Sequence, residues 1–229
     1  MTRRAPGFSL IEMAFVLIIV TLLLGGLLVP FATQVEQKRI AETNKAMEEI
    51  KEALMGFAVA NGRLPCPDAT NDGLEDPLGG PCAAAAAAVA TEGNIPWTTL
   101  GIANSDAWGN RFGYRVTNDF AAAGMITLGP PATAGVLQIC RDASTPCGSL
   151  LANGIPAVIY SLGKNGQSFS CAGPVPANRA DECENRDADD IFVSRIITGP
   201  GAAVEFDDLV IWLSPNVLFN RMVAAGKLP

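Results

Sequence analysis

The chain has 229 residues, 49% of them hydrophobic, with a formal net charge of −7 and no histidine. An acidic chain repels phosphate backbones, and no basic stretch is interleaved with aromatic residues, so nucleic acid is excluded as a direct partner. The commonest general base is missing, and the sequence contains neither a G-x-S-x-G motif nor a P-loop. We therefore expect a protein that is not an enzyme.

The N-terminus begins with a short basic segment, residues 1–7, and continues with an almost entirely apolar run over residues 8–31. At about 1.5 Å per residue, such a helix is long enough to cross a hydrocarbon core of about 30 Å. Arg3 and Arg4 favour a cytoplasmic N-terminus, with everything after Thr33 outside. The apolar run is too long for a secretory signal peptide. The pattern predicts a single-pass membrane helix with N-in, C-out topology.

One carboxylate interrupts the apolar run, at Glu12. A charge in the middle of a membrane helix costs about 2.5–3.5 kcal/mol and usually has a specific partner. Cleavage between Gly7 and Phe8 would create an α-amino group one helical turn before Glu12. Such a pair, formed within one chain or between neighbouring chains, would offset the desolvation of both charges and would set the register of a helix bundle.

This segment resembles the processing site of type IV pilins and type II secretion pseudopilins. The resemblance rests on a basic leader, GFSLIE at positions 7–12 and the aliphatic run that follows. It implies cleavage after Gly7 by a prepilin peptidase and N-methylation of Phe8. It also implies that Glu12 takes part in the recruitment of the next subunit.

The resemblance implies a structural subunit, pilin or pseudopilin, of a type IV pilus or a type II secretion pseudopilus. Its implied partners are homologous subunits, the prepilin peptidase and an inner-membrane assembly platform. The expected location is the bacterial inner membrane, with the head in the periplasm and the helix later extracted into the filament. The length of the chain favours a minor subunit. The alternative is a membrane-tethered periplasmic binding or adhesion module whose helix serves only as an anchor.

After the apolar run, residues 34–61 become amphipathic. Apolar residues recur at helical spacing on one face, at Ile40, Met47, Ile50, Leu54 and Phe57. Asn61 and Gly62 supply the stop signal. The predicted organisation is a leader (1–7), a transmembrane and assembly helix (8–33), an amphipathic helix (34–61) and an extracytoplasmic head (62–229).

Six cysteines follow the apolar run, at Cys66, Cys82, Cys140, Cys147, Cys171 and Cys183. An even number on one side of a membrane helix favours disulfides in an oxidising compartment. Zinc is the rival reading, but the sequence contains neither histidine nor a C-x-x-C pair. Fifteen pairings are possible and the connectivity stays open, although pairing of neighbours would close three short loops.

The head carries strand signals at residues 111–117, 135–140, 157–162, 191–197 and 209–213, and a C-terminal helix signal at 215–225. The predicted fold is α+β: a long N-terminal helix, membrane-spanning in its first half and amphipathic in its second, packed on a mainly antiparallel sheet, with a short C-terminal helix. DAWGNRFGY at 106–114 and YSLGKNG at 160–166 resemble segments of pseudopilin heads. That resemblance also suggests calcium, with weak candidate ligands at Asp187, Asp189 and Asp190; otherwise we expect no cofactor.

Overall fold

The structure is a computed structural model that describes residues 7–80, 82, 90–122, 126, 135–144, 147–166, 170–199 and 201–228, without the side chains of residues 24–30. The helices are α1 (Leu10–Asn61), α2 (Trp97–Leu100), α3 (Asn118–Ala121), α4 (Ala180–Glu184) and α5 (Pro215–Ala224), and a 3₁₀ turn covers Ala177–Arg179. The strands are β1 (Ala90–Asn94), β2 (Gly113–Thr117), β3 (Leu137–Cys140), β4 (Leu150–Ile155), β5 (Ala157–Ser161), β6 (Ile191–Val193) and β7 (Leu209–Leu213). The chain divides into two compact units, Met1–Ala41 and Glu42–Pro229.

Helix α1 belongs to both units. In the second unit it buries Met47, Ile50, Leu54 and Ala58 on one face, at the three- and four-residue spacing of an amphipathic helix. Phe57, also predicted for that face, is only half-buried. The helix ends at Asn61, and the following Gly62 has a φ of +72°, in the left-handed region that glycine adopts at little cost.

The predicted membrane-spanning first half of α1 is wrong for the residues that the structure describes. Among these, no helix is both long enough and apolar enough to cross a membrane. The predicted single-pass location in the bacterial inner membrane, with its N-in, C-out topology, is corrected by the same finding.

Two sheets form in the second unit, where the sequence predicted one. The four-stranded sheet has the order β1-β2-β5-β7 and is antiparallel throughout. The three-stranded sheet has the order β4-β3-β6, and its β3–β6 pair is parallel. The prediction of a single sheet was wrong because β5 is buried on both faces, so a second layer has to cover its other face.

The alternation of side chains along β5 places one core on each face of the four-stranded sheet. Ile159 joins the core that contains Leu54 of α1 and Leu218 of α5. Val158 and Tyr160 point to the other face and pack with residues of the three-stranded sheet such as Ile139. The second unit therefore stacks α1 with α5, the larger sheet and the smaller sheet in three layers.

The predicted C-terminal helix is confirmed as α5, which ends one residue earlier than expected. Pro215 occupies its first turn, where the missing N–H costs no intrahelical hydrogen bond. Ser214 precedes it, but its side chain makes no capping hydrogen bond. Leu218 and Met222 are buried one turn apart and fix the helix to the core.

The two head segments that resemble pseudopilins contact each other. The Asp106 carboxylate accepts hydrogen bonds from the backbone N–H groups of Trp108 and Asn110 and from the Ser161 hydroxyl at 2.6 Å. The Asn110 side chain donates to the Gly163 carbonyl. Asp106, Asn110 and Ser161 are buried, so the hydrogen bonds hold the 106–114 loop against the end of β5.

Three disulfides join neighbouring cysteines: Cys66 to Cys82, Cys140 to Cys147, and Cys171 to Cys183. The prediction of disulfides is confirmed, and the pairing that the sequence left open is the one between neighbours. No cysteine remains as a free thiol.

Candidate functional site

The start of α1 is defined by a reciprocal pair of hydrogen bonds between Ser9 and Glu12. The Glu12 carboxylate accepts from the Ser9 backbone N–H at 3.1 Å and from its hydroxyl at 3.3 Å. The Ser9 hydroxyl in turn accepts from the Glu12 backbone N–H at 3.3 Å. This is a capping box, which satisfies backbone donors at the first turn of a helix. Glu12 therefore has a local structural role in the unprocessed chain.

Gly7 and Phe8 precede this cap in a non-helical stretch. A side chain added at Gly7 would meet no atom within 4 Å, and Phe8 is 80% exposed. The peptide bond between them is therefore accessible to a peptidase. Cleavage and methylation at this bond stay predictions.

The side chains that follow form an apolar surface, which we call the exposed apolar segment of α1. Its members are Phe8, Leu10, Ile11, Met13, Phe15, Val16, Leu17, Ile18, Ile19, Val20, Leu22 and Leu23, with exposures between 43% and 92%. Successive helical residues point about 100° apart, so the consecutive run from Phe15 to Val20 covers every face of the helix. A helix that is apolar on every face is normally buried, so this segment has the composition of a surface that packs against other apolar groups.

The weak calcium candidates from the sequence separate into two groups. Asp187 and Asp189 lie beside Glu184, and one oxygen of each of the three carboxylates lies within 4.8 Å of the others. Burial and the nearby charges of Asp187 and Asp189 raise the pKa of Glu184 to about 7. Asp190 points elsewhere and pairs with Arg115 at 2.8 Å. Two of the three candidates are therefore brought together, on an exposed surface.

A second acidic cluster, which we call the buried acidic cluster, consists of Glu182, Asp207 and Asp208. Glu182 lies on α4, and the two aspartates directly precede β7. One oxygen of each carboxylate lies within 4.8 Å of the others. Glu182 is fully buried, Asp208 is 2% exposed and Asp207 is half-buried.

Amides from two other segments hold one oxygen of each carboxylate in this cluster. Glu182 Oε1 accepts from the Asn165 side chain at 2.8 Å and from the Asp207 backbone N–H at 3.2 Å. Asp207 Oδ2 accepts from the Asn165 backbone N–H at 3.1 Å. Asp208 Oδ2 accepts from the Asn185 side chain at 2.9 Å. The GKNG turn, which in sequence is a simple turn, thus positions two of the acids.

Burial disfavours the charged forms of two of these acids. Burial and the neighbouring Glu182 charge raise the pKa of Asp207 to about 6. Burial raises the pKa of Asp208 to about 8, although the hydrogen bond from Asn185 and the charge of Arg186 act in the opposite direction. The cluster is therefore an electrostatically costly arrangement.

Sequence reasoning missed this cluster. None of its three residues was predicted as a site residue. The two adjacent acids directly before an apolar strand could have indicated the cluster, because charged residues at that position lie next to a buried sheet. Glu182 carried no comparable signal, since it comes from a short helix whose position depends on the tertiary fold.

Comparison with known proteins identified no relative of this chain. No protein-family model matches the chain, and no curated protein or solved structure matches it. The function has to be inferred from the chain's own residues.

Proposed function

We propose that this chain is a pilin-like structural subunit, a minor component of a type IV pilus or a type II secretion pseudopilus. In this proposal, a prepilin peptidase cuts between Gly7 and Phe8, and the processed subunit assembles with homologous subunits through α1. The proposal rests on the sequence resemblance at positions 7–12 and on the exposed apolar segment of α1.

The exposed apolar segment is the observation that carries the proposal. Full burial of one large aliphatic or aromatic side chain contributes about 1.5–3 kcal/mol, so a segment with such side chains on every face gains much from association. The same segment on another subunit offers a matching apolar surface over the same length. A bundle of these helices would bury the side chains of every member.

Glu12 would determine how the helices of such a bundle align along their axes. It is the one charged residue among positions 8–35. If two helices pack so that Glu12 has no positively charged partner, its carboxylate lies in an apolar environment, which is costly. After cleavage, the α-amino group of Phe8 on a neighbouring subunit can neutralise it. This pairing would select one axial offset between subunits, as a single buried polar residue selects the register of a coiled coil.

Cross-linking through one introduced thiol tests the proposed assembly. Since all six native cysteines are in disulfides, Leu17→Cys gives the processed chain one free thiol, in the exposed apolar segment. With a short bis-maleimide we expect covalent dimers from Leu17→Cys. The matched control is Val175→Cys, an exposed position in the second unit with 43% exposure. Equal dimer yields from both variants, or no dimer from Leu17→Cys, would contradict assembly through α1.

A further inference from the structure

We infer that a cleft at one end of the three-stranded sheet binds a small molecule that joins one carboxylate to an aliphatic chain. The cleft, which we call the arginine cleft, has a volume of about 650 Å³, and small-molecule sites occupy about 300–1,000 Å³. Its walls are the segments that follow β3 and β6 and the start of β4, and its lining includes Arg141, Asp142, Leu151, Ser194, Arg195 and Ile196. This inference goes beyond the proposed role in assembly, because none of these residues lies on α1.

The first support is the set of guanidinium donors in the cleft. The Arg141 side chain is exposed, and it makes no hydrogen bond and no ion pair within 4 Å with the other described residues. Arg195 donates to Asp181, but a guanidinium has five N–H groups, so further donors remain. Guanidinium groups bind carboxylates through two parallel N–H groups, which favours a carboxylate as the polar end of the ligand.

The net charge of the cleft matches a ligand with a single negative charge. Ser144 donates hydrogen bonds to the Asp142 carboxylate from its hydroxyl and its backbone N–H, which lowers the pKa of Asp142 and keeps it ionised at neutral pH. The two arginines and this one aspartate leave one net positive charge in the lining, on a chain whose formal net charge is −7. One carboxylate balances that charge, whereas a phosphate group would exceed it.

The second support is the apolar part of the lining. Leu151 is 41% exposed and Ile196 is 85% exposed, although both side chains are large and apolar. A ligand that covers them removes apolar surface from water, which favours binding. Both side chains are aliphatic, and the described lining contains no aromatic ring on which a planar ligand could stack. The lining therefore favours an aliphatic chain as the apolar part of the ligand.

The third support is the set of hydrogen bonds that hold the walls of the cleft together. The Ser194 backbone N–H donates to the Cys140 carbonyl at 2.9 Å, which joins the segment after β6 to the end of β3. The carboxylate of Asp181, a buried residue of α4, accepts from the Ala143 backbone N–H at 2.8 Å and from the Arg195 side chain. One buried acid thus links both walls and positions Arg195. Because these groups are in place before a ligand arrives, the ordering cost of binding is low.

Equilibrium dialysis of the full-length chain in a neutral detergent against radioactive hexanoate tests the cleft. After subtraction of the hexanoate taken up by detergent alone, we expect one saturable site per chain with a Kd of about 1 mM, because a ligand of this size has few atoms that can contribute. The matched ligand is 1-hexanol, which has the same aliphatic chain without the charge. It should bind at least about tenfold more weakly, because it loses the charge-assisted hydrogen bonds. No saturable binding of hexanoate up to about 50 mM, or equal binding of 1-hexanol, would overturn the inference.

Substitutions of exposed side chains locate the ligand. Arg141→Gln should weaken hexanoate binding about ten- to hundredfold, and Ile196→Ser should weaken it through the loss of apolar contact. The matched control is Arg221→Gln, which removes an exposed arginine from α5 and should bind hexanoate as the wild type does. Wild-type binding by Arg141→Gln, or an equal loss in Arg221→Gln, would overturn the assignment. Near-UV circular dichroism checks that each variant is folded, and if one is not, the comparison of hexanoate with 1-hexanol on the wild type still decides the outcome.

Discussion

Replacement of Glu12 separates its two roles, the cap of α1 and the charge proposed for assembly. In the capping box, Glu12 accepts hydrogen bonds from Ser9 and so stabilises the first turn. In assembly, its negative charge would pair with the α-amino group of Phe8 after cleavage. Glutamine supports a capping box as glutamate does, but it carries no charge. Glu12→Gln therefore removes only the assembly role, whereas Glu12→Ala removes both.

The two roles differ greatly in expected magnitude. Loss of an N-terminal cap costs about 0.5–2 kcal/mol, with exposed caps at the lower end. Loss of one partner from a buried ion pair costs about 3–5 kcal/mol, because the remaining charge is left without compensation. At about 1.4 kcal/mol per tenfold change, Glu12→Gln should weaken association more than about 10²-fold. We expect Glu12→Ala to be slightly worse, because it also destabilises the helix start.

The assay is the yield of cross-linked dimer in the Leu17→Cys background, measured over a range of subunit concentrations. The matched control is Glu49→Gln, which removes an exposed carboxylate from the same helix outside the apolar segment. Glu49→Gln should leave the concentration dependence unchanged, and Glu12→Gln should shift it to higher concentration. Cross-linking of Glu12→Gln at wild-type concentrations would refute the charge pairing and leave Glu12 with the cap alone.

Three further predictions concern the stability of the second unit, measured by thermal or denaturant unfolding with near-UV circular dichroism as the readout. Leu54→Ala should lower the free energy of unfolding by about 2–5 kcal/mol, because it opens a cavity between α1 and the larger sheet; no loss of stability would contradict the packing of this face. Asp106→Ala should cost about 3 kcal/mol, because it leaves a buried hydroxyl and two backbone N–H groups without their acceptor, and a loss below 1 kcal/mol would contradict that network. The buried Glu75 carboxylate accepts two hydrogen bonds from the Arg63 guanidinium, with N–O distances of 2.7 and 2.8 Å. Burial alone would raise the pKa of Glu75. The Arg63 guanidinium and backbone donors outweigh this effect and hold the pKa below its usual value. The ionised Glu75 carboxylate therefore stabilises the fold above about pH 4.5, and this stabilisation is lost as the pH falls through the lower pKa of the folded state. We expect Glu75→Gln to be less stable than the wild type at pH 7. Its free energy of unfolding should also depend less on pH on the acid side. If Glu75→Gln left the pH dependence of the free energy of unfolding unchanged at acid pH, the lowered pKa of Glu75 would be contradicted.

The regular elements with strong local signals could be predicted from the sequence. The face of α1 around Met47 and Leu54 follows from the 3.6-residue period of its apolar positions. The strands β5 and β7 are short apolar runs with turn residues on both sides, and their observed bounds agree within one residue of the predicted ones. Pro215 and Gly226 likewise located α5.

Two strands escaped prediction because their stability comes from their neighbours. Strand β1 has the sequence ATEGN, in which glycine, asparagine and glutamate are poor strand formers. It is held by a full antiparallel register with β2. Strand β4 contains an Asn-Gly pair, which in sequence signals a turn, yet the segment pairs with β3. Without β4, the three-stranded sheet could not be inferred.

The prediction of a membrane-spanning helix over residues 8–33 was wrong, because in the part of the chain that the structure describes no helix qualifies as a span. The buried acidic cluster was missed for a different reason. Its acids come from α4 and from the start of β7, and a turn after β5 aligns them, so their proximity exists only in the tertiary structure.

The most direct test of the proposed function is the intact mass of the chain isolated from the cells that produce it. Processing at the accessible bond after Gly7 should give a mature chain that begins at Phe8 and carries one added methyl group, with three disulfides intact. A chain that still begins at Met1, or one that begins near Thr33, would contradict the account, because the proposed pairing of Glu12 requires a new α-amino group at Phe8.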